Sequence, residues 1–164
     1  MKIIIKTTGQ EEIRNQDVGD WYEHEGVKYI KVLEMGNENY SFLIALHELL
    51  EQKFCEKDRV PEWKVTNFDA NFRGEGEPGM NLKAPYRKQH IKATQIEALV
   101  CGYLGLSWKK YDDFITKGLY KVNKNKMPAK KMRSVAPKGL KGKKVVKGIK
   151  KVAKTIKGKK VTKK

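Results

Sequence analysis

NENYSFLIALHELLEQKFCE, residues 37–56, combines a helix start signal with apolar residues at helical spacing. Residues 37–39 supply N-cap chemistry, and the run behind them predicts a helix from about Tyr40 to Glu56. At about 100° per residue, the apolar side chains of this helix fall on one arc, which we expect to face the core. The arc comprises Phe42, Leu43, Leu46, Leu49, Leu50 and Phe54.

The segments on either side supply a small sheet and further helices. The β-branched run from Lys2 to Thr8 predicts a strand, and two alternating runs around Glu25-Gly26 predict a hairpin. Further helices are predicted at 61–72, at 85–104 and from residue 107 to about 118. The predicted fold class is α+β, with a small N-terminal antiparallel sheet packed on three to four helices. On the helix at 85–104 the expected core stripe is Ala93, Ile96, Val100 and Leu104.

Charge divides the 164-residue chain into two parts. Of the 36 Lys+Arg, 19 lie in residues 121–164, which contain no acidic residue. Residues 1–120 contain the other 17 basic residues and all 19 Asp+Glu, so their net charge is −2. We therefore predict a globular domain at 1–118 and a Lys-rich tail at 119–164, disordered or ordered by a partner. This distribution argues against a globally basic DNA-binding fold, in which the charge lies on the folded surface.

Cysteine count and hydropathy indicate the cellular setting. Cys55 and Cys101 are too few for a disulfide scaffold and are expected to be reduced core thiols, with one bridge between their helices as the alternative. No window reaches 18 apolar residues, and the apolar run at 3–5 is too short for a signal-peptide core. We expect a cytoplasmic protein, or one made in the cytoplasm and packaged elsewhere.

Polar residues recur at helical spacing on two of the predicted helices. His47 and Glu51 are four residues apart, so they share one helix face at the edge of the apolar arc, where both are expected to be half-buried. On the helix at 85–104, a second polar stripe runs beside the core face. It consists of His90, Thr94, Glu97 and Cys101.

Two imidazoles with two or three carboxylates form a nitrogen and oxygen ligand set, which suits Zn²⁺, Fe²⁺ or Mn²⁺. The predicted cofactor is one such divalent transition metal, and the alternative is no metal, with the pairs as hydrogen bonds at the edge of the core. The candidate ligands are His47, Glu51, His90, Glu97 and Asp69.

Glu48 is the candidate catalytic residue. It follows His47 as the general base follows the first ligand in the zinc-peptidase motif H-E-x-x-H. Glu51 occupies the position at which that motif has its second histidine. This departure weakens the peptidase assignment and leaves a structural metal, or no metal, as alternatives.

A longer ordered string carries a family resemblance. MGNENYSFLIALHELLE (35–51), FD (68–69), GEPG (76–79) and APYRKQH (84–90) are followed by Ala93-Thr94, Glu97 and LGLSW (104–108). Over about residues 20–113 this string resembles a family of small uncharacterised phage and prophage proteins. The resemblance implies a phage-encoded protein, and the family has no established activity. The family often has histidine at the position of Arg87, which stays protonated and does not bind metal.

The tail is a candidate polyanion-binding segment. It has no aromatic residue after Tyr120 for base stacking, and Arg133 is its only arginine, so we expect sequence-independent binding to phosphate backbone. Docking on an acidic protein surface such as a phage structural protein ranks second, and an anionic membrane third; improved solubility alone is a further alternative. The candidate nucleic-acid-binding residues are Lys130, Lys131, Arg133, Lys143, Lys144, Lys147, Lys150, Lys151, Lys154, Lys157, Lys159 and Lys160.

Two functional hypotheses follow. The first is a phage accessory protein, in the host cytoplasm or the virion, that binds nucleic acid or an acidic protein surface through its tail. The second is a zincin-like metal-dependent hydrolase, with His47, Glu51 and His90 as ligands, that the tail localises on nucleic acid. The sequence does not decide between a binding protein and an enzyme.

Overall fold

The computed structural model describes residues 2–74 and 76–119. Of the tail predicted at 119–164, the residues from 120 on lie outside the described residues, and these include all of its candidate nucleic-acid-binding residues. Within the described ranges, no helix has the length and apolar character needed to span a membrane.

The N-terminal part forms a three-stranded sheet. Its strands are β1 (Lys2–Thr8), β2 (Gly19–His24) and β3 (Val27–Leu33), in the order β1–β3–β2. The predicted hairpin is confirmed, since β2 and β3 pair antiparallel. Both turn residues have positive φ, 51° at Glu25 and 73° at Gly26, as a tight two-residue hairpin turn requires.

The prediction of a wholly antiparallel sheet is wrong, because β1 runs parallel to β3 from the Lys2–Val27 pair to the Thr8–Leu33 pair. The reason lies in the connection from β1 to β2. Two short 3₁₀ turns, with Ile13 and Val18 buried beside them, lead from β1 to β2 at one end of the sheet, where Thr8 pairs with Leu33 and Gly19 pairs with Val32. The hairpin then places β3 at the centre, so the sheet is mixed.

Four helices follow the sheet, which confirms the α+β class. They are α1 (Glu38–Lys57), α2 (Glu62–Asn71), α3 (Arg87–Tyr103) and α4 (Trp108–Asp113). The Asn37 side chain accepts a hydrogen bond from the Tyr40 N–H at 3.2 Å and so caps α1, as predicted. A π-helical turn, Phe114–Leu119, extends α4 to the end of the described residues.

The core lies where α1 packs against β2, β3 and α3. Ile30, Val32 and Leu43 are fully buried there. Cys55 and Cys101 are also buried, and neither is in a disulfide.

The faces predicted to point into the core are confirmed only in part for the two long helices: Leu43 on α1 and Ala93 on α3 are fully buried, and Leu49 and Val100 pack against the core. Phe42 on α1 is 51% exposed and Leu104, which follows α3, is 42% exposed. The buried face of α1 instead carries Leu43, Ile44, His47, Glu51, Gln52 and Cys55. That of α3 carries Gln89, His90, Ala93, Glu97 and Cys101. The two polar stripes therefore point inward, where imidazoles and carboxylates satisfy one another.

Candidate metal centre

Three side-chain atoms from α1 and α3 converge inside the domain. His47 Nε2 lies 3.1 Å from His90 Nδ1, and His90 Nδ1 lies 2.9 Å from Glu51 Oε2. The third side of the triangle, from His47 Nε2 to Glu51 Oε2, is 3.6 Å. All three residues are buried, with at most 8% of each exposed.

The size of this triangle matches one face of a coordination tetrahedron. With ligand bonds of about 2.0–2.1 Å, a tetrahedral zinc ion holds its ligand atoms roughly 3.3–3.4 Å apart. The three observed sides lie within a few tenths of an ångström of that spacing. Among the described residues, this is the one group of three or more His, Cys, Asp or Glu residues whose ligand atoms approach so closely.

Each imidazole turns its second nitrogen to a carboxylate outside the triangle. His47 Nδ1 donates to Glu97 Oε2 at 2.8 Å, and His90 Nε2 donates to Glu77 Oε2 at 3.1 Å. The second oxygen of Glu51 accepts a hydrogen bond from the Trp21 indole N–H at 2.9 Å. Each of the three converging groups is therefore held in place by a hydrogen bond on the side that faces away from the triangle, as ligands of protein-bound metals regularly are.

These contacts fix the tautomers and leave the centre short of a donor. A carboxylate oxygen only accepts, so the outward nitrogen of each ring carries the hydrogen. In neutral rings the inward nitrogens of His47 and His90 are then both acceptors, and they meet the acceptor oxygen of Glu51. Because three acceptors converge with no donor among them, a cation has to lie between them: one or more protons, or a metal ion.

Without metal, protons take this place. Burial alone would lower the pKa of His47, but the carboxylates of Glu51 and Glu97 outweigh it and raise that pKa well above its usual value. The same balance, with Glu51 and Glu77 as the carboxylates, raises the pKa of His90 to about 9. Burial opposes ionisation of Glu51, yet the two imidazoles lower its pKa to about 2. A metal ion would therefore displace protons when it binds.

The centre opens into a cavity of about 720 Å³ that is strongly acidic. Among the described residues, Arg14 is the only basic one besides the two histidines that lines it. The acidic lining residues are Asp17, Asp20, Glu48, Glu51, Asp69, Glu77, Glu97 and Asp112. The cavity offers the space beside the ligand triangle that a substrate or water needs.

Glu48 lines this cavity beside the ligand triangle. Its carboxylate packs against Gly19 and makes no hydrogen bond or ion pair with any described residue. Burial, reinforced by the negative charge of Glu51, raises the pKa of Glu48 well above its usual value. An unpartnered carboxylate of raised pKa next to an open coordination position has the character of a proton acceptor for water.

The structure separates two predicted ligands from the triangle. Glu97 lies behind His47 and orients it, and its second oxygen accepts a hydrogen bond from the Tyr111 hydroxyl. Asp69 lines the cavity, but its Oδ1 accepts a hydrogen bond from the Tyr86 hydroxyl at 2.6 Å. Burial raises the pKa of Asp69 to about 8, so this carboxyl holds a proton at neutral pH.

Glu77 is the site residue that the sequence analysis missed. It precedes a 3₁₀ turn, Pro78–Met80, whose Gly79 packs directly on the His90 ring: a Cβ there would lie 2.5 Å from His90 Nδ1. The GEPG string was the available signal, since a glycine in close contact with a ring leaves no room for a side chain. Trp21 and Tyr111 gave no such signal, because their polar atoms meet Glu51 and Glu97 only in the folded chain.

Comparisons with protein-family profiles, with curated proteins and with solved structures return no match for this chain. What the domain does is therefore inferred from the chemistry of its side chains.

Proposed function

We propose that the globular domain binds one divalent transition metal through His47, His90 and Glu51 and acts as a metal-dependent hydrolase. The observation that carries this proposal is the convergence of three acceptor atoms. Each belongs to a side chain that a second hydrogen bond, outside the triangle, holds in position. With neutral rings this centre has no donor of its own, so it holds either the protons that the raised pKa values of both histidines favour or a metal ion that replaces them.

The remaining geometry supports hydrolysis as the reaction class. A metal held by three protein ligands retains an open position and lowers the pKa of a water bound there. Glu48, one residue after a ligand and without a partner of its own, would accept the proton of that water. Glu97 and Glu77 would hold the two rings in the tautomers that bind metal.

Elemental analysis of protein purified without chelators tests the metal. We expect about one Zn, Fe or Mn per chain, and the loss of that metal in both His47→Ala and His90→Ala. The chain supplies a matched control in its third histidine: His24 is largely exposed on β2, and His24→Ala should keep the metal. Metal-free protein after reconstitution, or equal loss in all three variants, would overturn the site.

A Glu48 variant tests the reaction class. Glu48→Gln should retain the metal and lose at least roughly 100-fold in turnover of whichever peptide, amide or ester substrate a screen identifies, because the proton acceptor is gone. A site that takes iron and consumes O₂ without Glu48 dependence would contradict hydrolysis, since two histidines and one carboxylate also form the iron site of oxygenases.

The charge of the tail favours a second function. We infer from its 19 basic residues and absence of acids that the tail binds polyanions, with nucleic acid ahead of an acidic phage structural protein. In this proposal the chain is a phage accessory protein of the host cytoplasm or the virion. Binding of a 30-nucleotide single strand should weaken steeply between about 50 and 200 mM salt. A salt-independent affinity would contradict it.

A further inference from the structure

We propose that the cavity selects a substrate that carries a positive charge, such as a basic side chain or an amine, and that Asp112 is the residue that selects it. This inference rests on the hydrolase proposed above and names its substrate class. It starts from the charge of the cavity walls: among the described residues, seven carboxylates besides the protonated Asp69 face one arginine and the two imidazoles of the metal centre.

The one arginine is not available to an anionic substrate. The Arg14 guanidinium donates to Asp20 at 2.7 Å, to Glu62 at 2.8 Å and to the Trp21 carbonyl at 2.7 Å. With two neighbouring carboxylates, it has no free charge to offer. Outside the metal centre, a phosphate or carboxylate group entering this cavity would thus meet an excess of negative charge, with no uncompensated cation among the described residues that line it.

Most of the acidic residues are engaged as well. Glu51, Glu77 and Glu97 contact the two imidazoles, and Asp20 pairs with Arg14. Asp69 accepts from the Tyr86 hydroxyl, and Asp17 accepts from the Val18 N–H. The carboxylates of Glu48 and Asp112 are different, since neither makes a hydrogen bond or ion pair with a described residue. Glu48 is already assigned as the proton acceptor. Asp112 is therefore the half-buried carboxylate in the cavity lining that has neither a partner among the described residues nor an assigned role.

The surroundings of Asp112 favour an organic cation. It lies on α4, where burial and the charges of Glu77, Asp113 and Glu97 raise its pKa against the opposing charge of Lys117. On the same helix the Trp108 ring packs on Tyr111 with 5.4 Å between ring centroids, and both line the cavity. Aromatic rings that line a cavity attract ammonium and guanidinium groups to their faces.

A second metal ion is the main rival for these carboxylates. No further group of three ligand atoms within 4.8 Å occurs in the part of the chain that the structure describes. The acidic residues around Asp112 are thus too dispersed to form a compact second site. We therefore favour an elongated cationic group, with one end near Asp112 and its reacting bond at the metal centre.

Three hydroxamates that share one metal-binding group test the inference on the zinc-loaded full chain. They are lysine hydroxamate, norleucine hydroxamate and glutamate hydroxamate, which differ in side-chain charge. Calorimetric titration should give the lysine compound roughly 10-fold tighter binding than the norleucine compound, and the glutamate compound the weakest. Asp112→Asn should abolish most of the lysine preference while the affinity for norleucine hydroxamate stays the same.

The neighbouring aspartate provides the control. Asp113 pairs with Lys109 and Lys117 at the surface and does not line the cavity, so Asp113→Asn should leave all three affinities unchanged. Equal affinities for the three compounds would overturn the substrate class while the metal site stands. Two metal ions per chain, one of them lost in Asp112→Asn, would also overturn it. Absence of both zinc and hydroxamate binding would instead overturn the proposed function.

Discussion

At the scale of single residues, the centre depends on groups that do not touch the metal position. The inward nitrogens of His47 and His90 are acceptors only because carboxylates hold the hydrogens on the outward ones. Without those carboxylates each ring is free to change tautomer or rotate, and the triangle loses its shape. Glu77 and Glu97 are thus as much part of the site as its ligands.

Glu77→Gln tests this dependence directly. The amide retains a hydrogen-bond acceptor but loses the charge that holds the hydrogen on His90 Nε2, so we expect metal affinity to fall roughly 10-fold or more. Competition with a zinc-binding dye measures the change. Glu34→Gln, at an exposed position after β3, is the control and should have no effect. An unchanged affinity in Glu77→Gln would show that the loop does not orient the ring.

Asp69 provides a prediction on pH. Its pKa is about 8 in the fold against about 3.9 in the unfolded chain, so the folded state binds the extra proton between these values. Its contribution to stability is complete below about pH 4 and is lost as the pH rises through about 8. Asp69→Asn removes this loss and keeps an acceptor for Tyr86. In urea unfolding of the metal-free protein, the free energy of unfolding of the variant relative to wild type should rise by roughly 1–3 kcal/mol from pH 5 to pH 8.5. A pH-independent difference would contradict the raised pKa.

At the scale of elements, α1 is rotated from the orientation that its apolar residues predict. Its buried face is centred near Glu51, roughly a third of a turn from the centre of the apolar arc at about 100° per residue. The rotation brings His47 and Glu51 against the polar face of α3. A helix with this pattern buries polar groups only because partners on other elements satisfy them.

Adjacent residues on α1 test this orientation. Leu43 is fully buried whereas Phe42 is 51% exposed. Leu43→Ala should therefore lower the free energy of unfolding by about 2–5 kcal/mol, and Phe42→Ala by about 1 kcal/mol or less. Chemical denaturation measures both. A larger loss for Phe42→Ala would restore the orientation expected from the apolar arc.

The same rotation explains what the sequence could and could not predict. Element positions were predictable because their signals are local: Asn37 caps α1, and Glu25-Gly26 turns the hairpin. The parallel pairing of β1 with β3 and the buried faces of α1 and α3 were not predictable, because both depend on contacts between segments that are distant in sequence. The His47–Glu51 spacing pointed to a site, but Glu77 joins it from a loop 26 residues after Glu51 in sequence, which helical periodicity does not reveal.

At the scale of the whole molecule, two opposite charge distributions occur in one chain. The described domain encloses an acidic cavity, while the segment from residue 121 on carries 19 basic residues and no acid. The proposed cavity chemistry and the proposed polyanion binding therefore belong to different parts of the sequence. Each should survive loss of the other.

Truncation at Asn123 tests this independence. The shortened chain should lose most of its affinity for nucleic acid at about 50 mM salt, because nearly all of the tail charge is gone. Its metal content should stay at the full-length value, since the three proposed ligands lie between residues 47 and 90. Unchanged nucleic-acid binding at matched salt would contradict the role of the tail.

X-ray absorption spectroscopy of the zinc-loaded full chain tests whether His47, His90 and Glu51 together hold a metal ion. We expect a shell of nitrogen and oxygen atoms only, at about 2.0–2.1 Å, with the outer scattering of two imidazole rings. A sulfur shell at about 2.3 Å, which would place the zinc on Cys55 or Cys101, or scattering from fewer than two imidazoles, would contradict it.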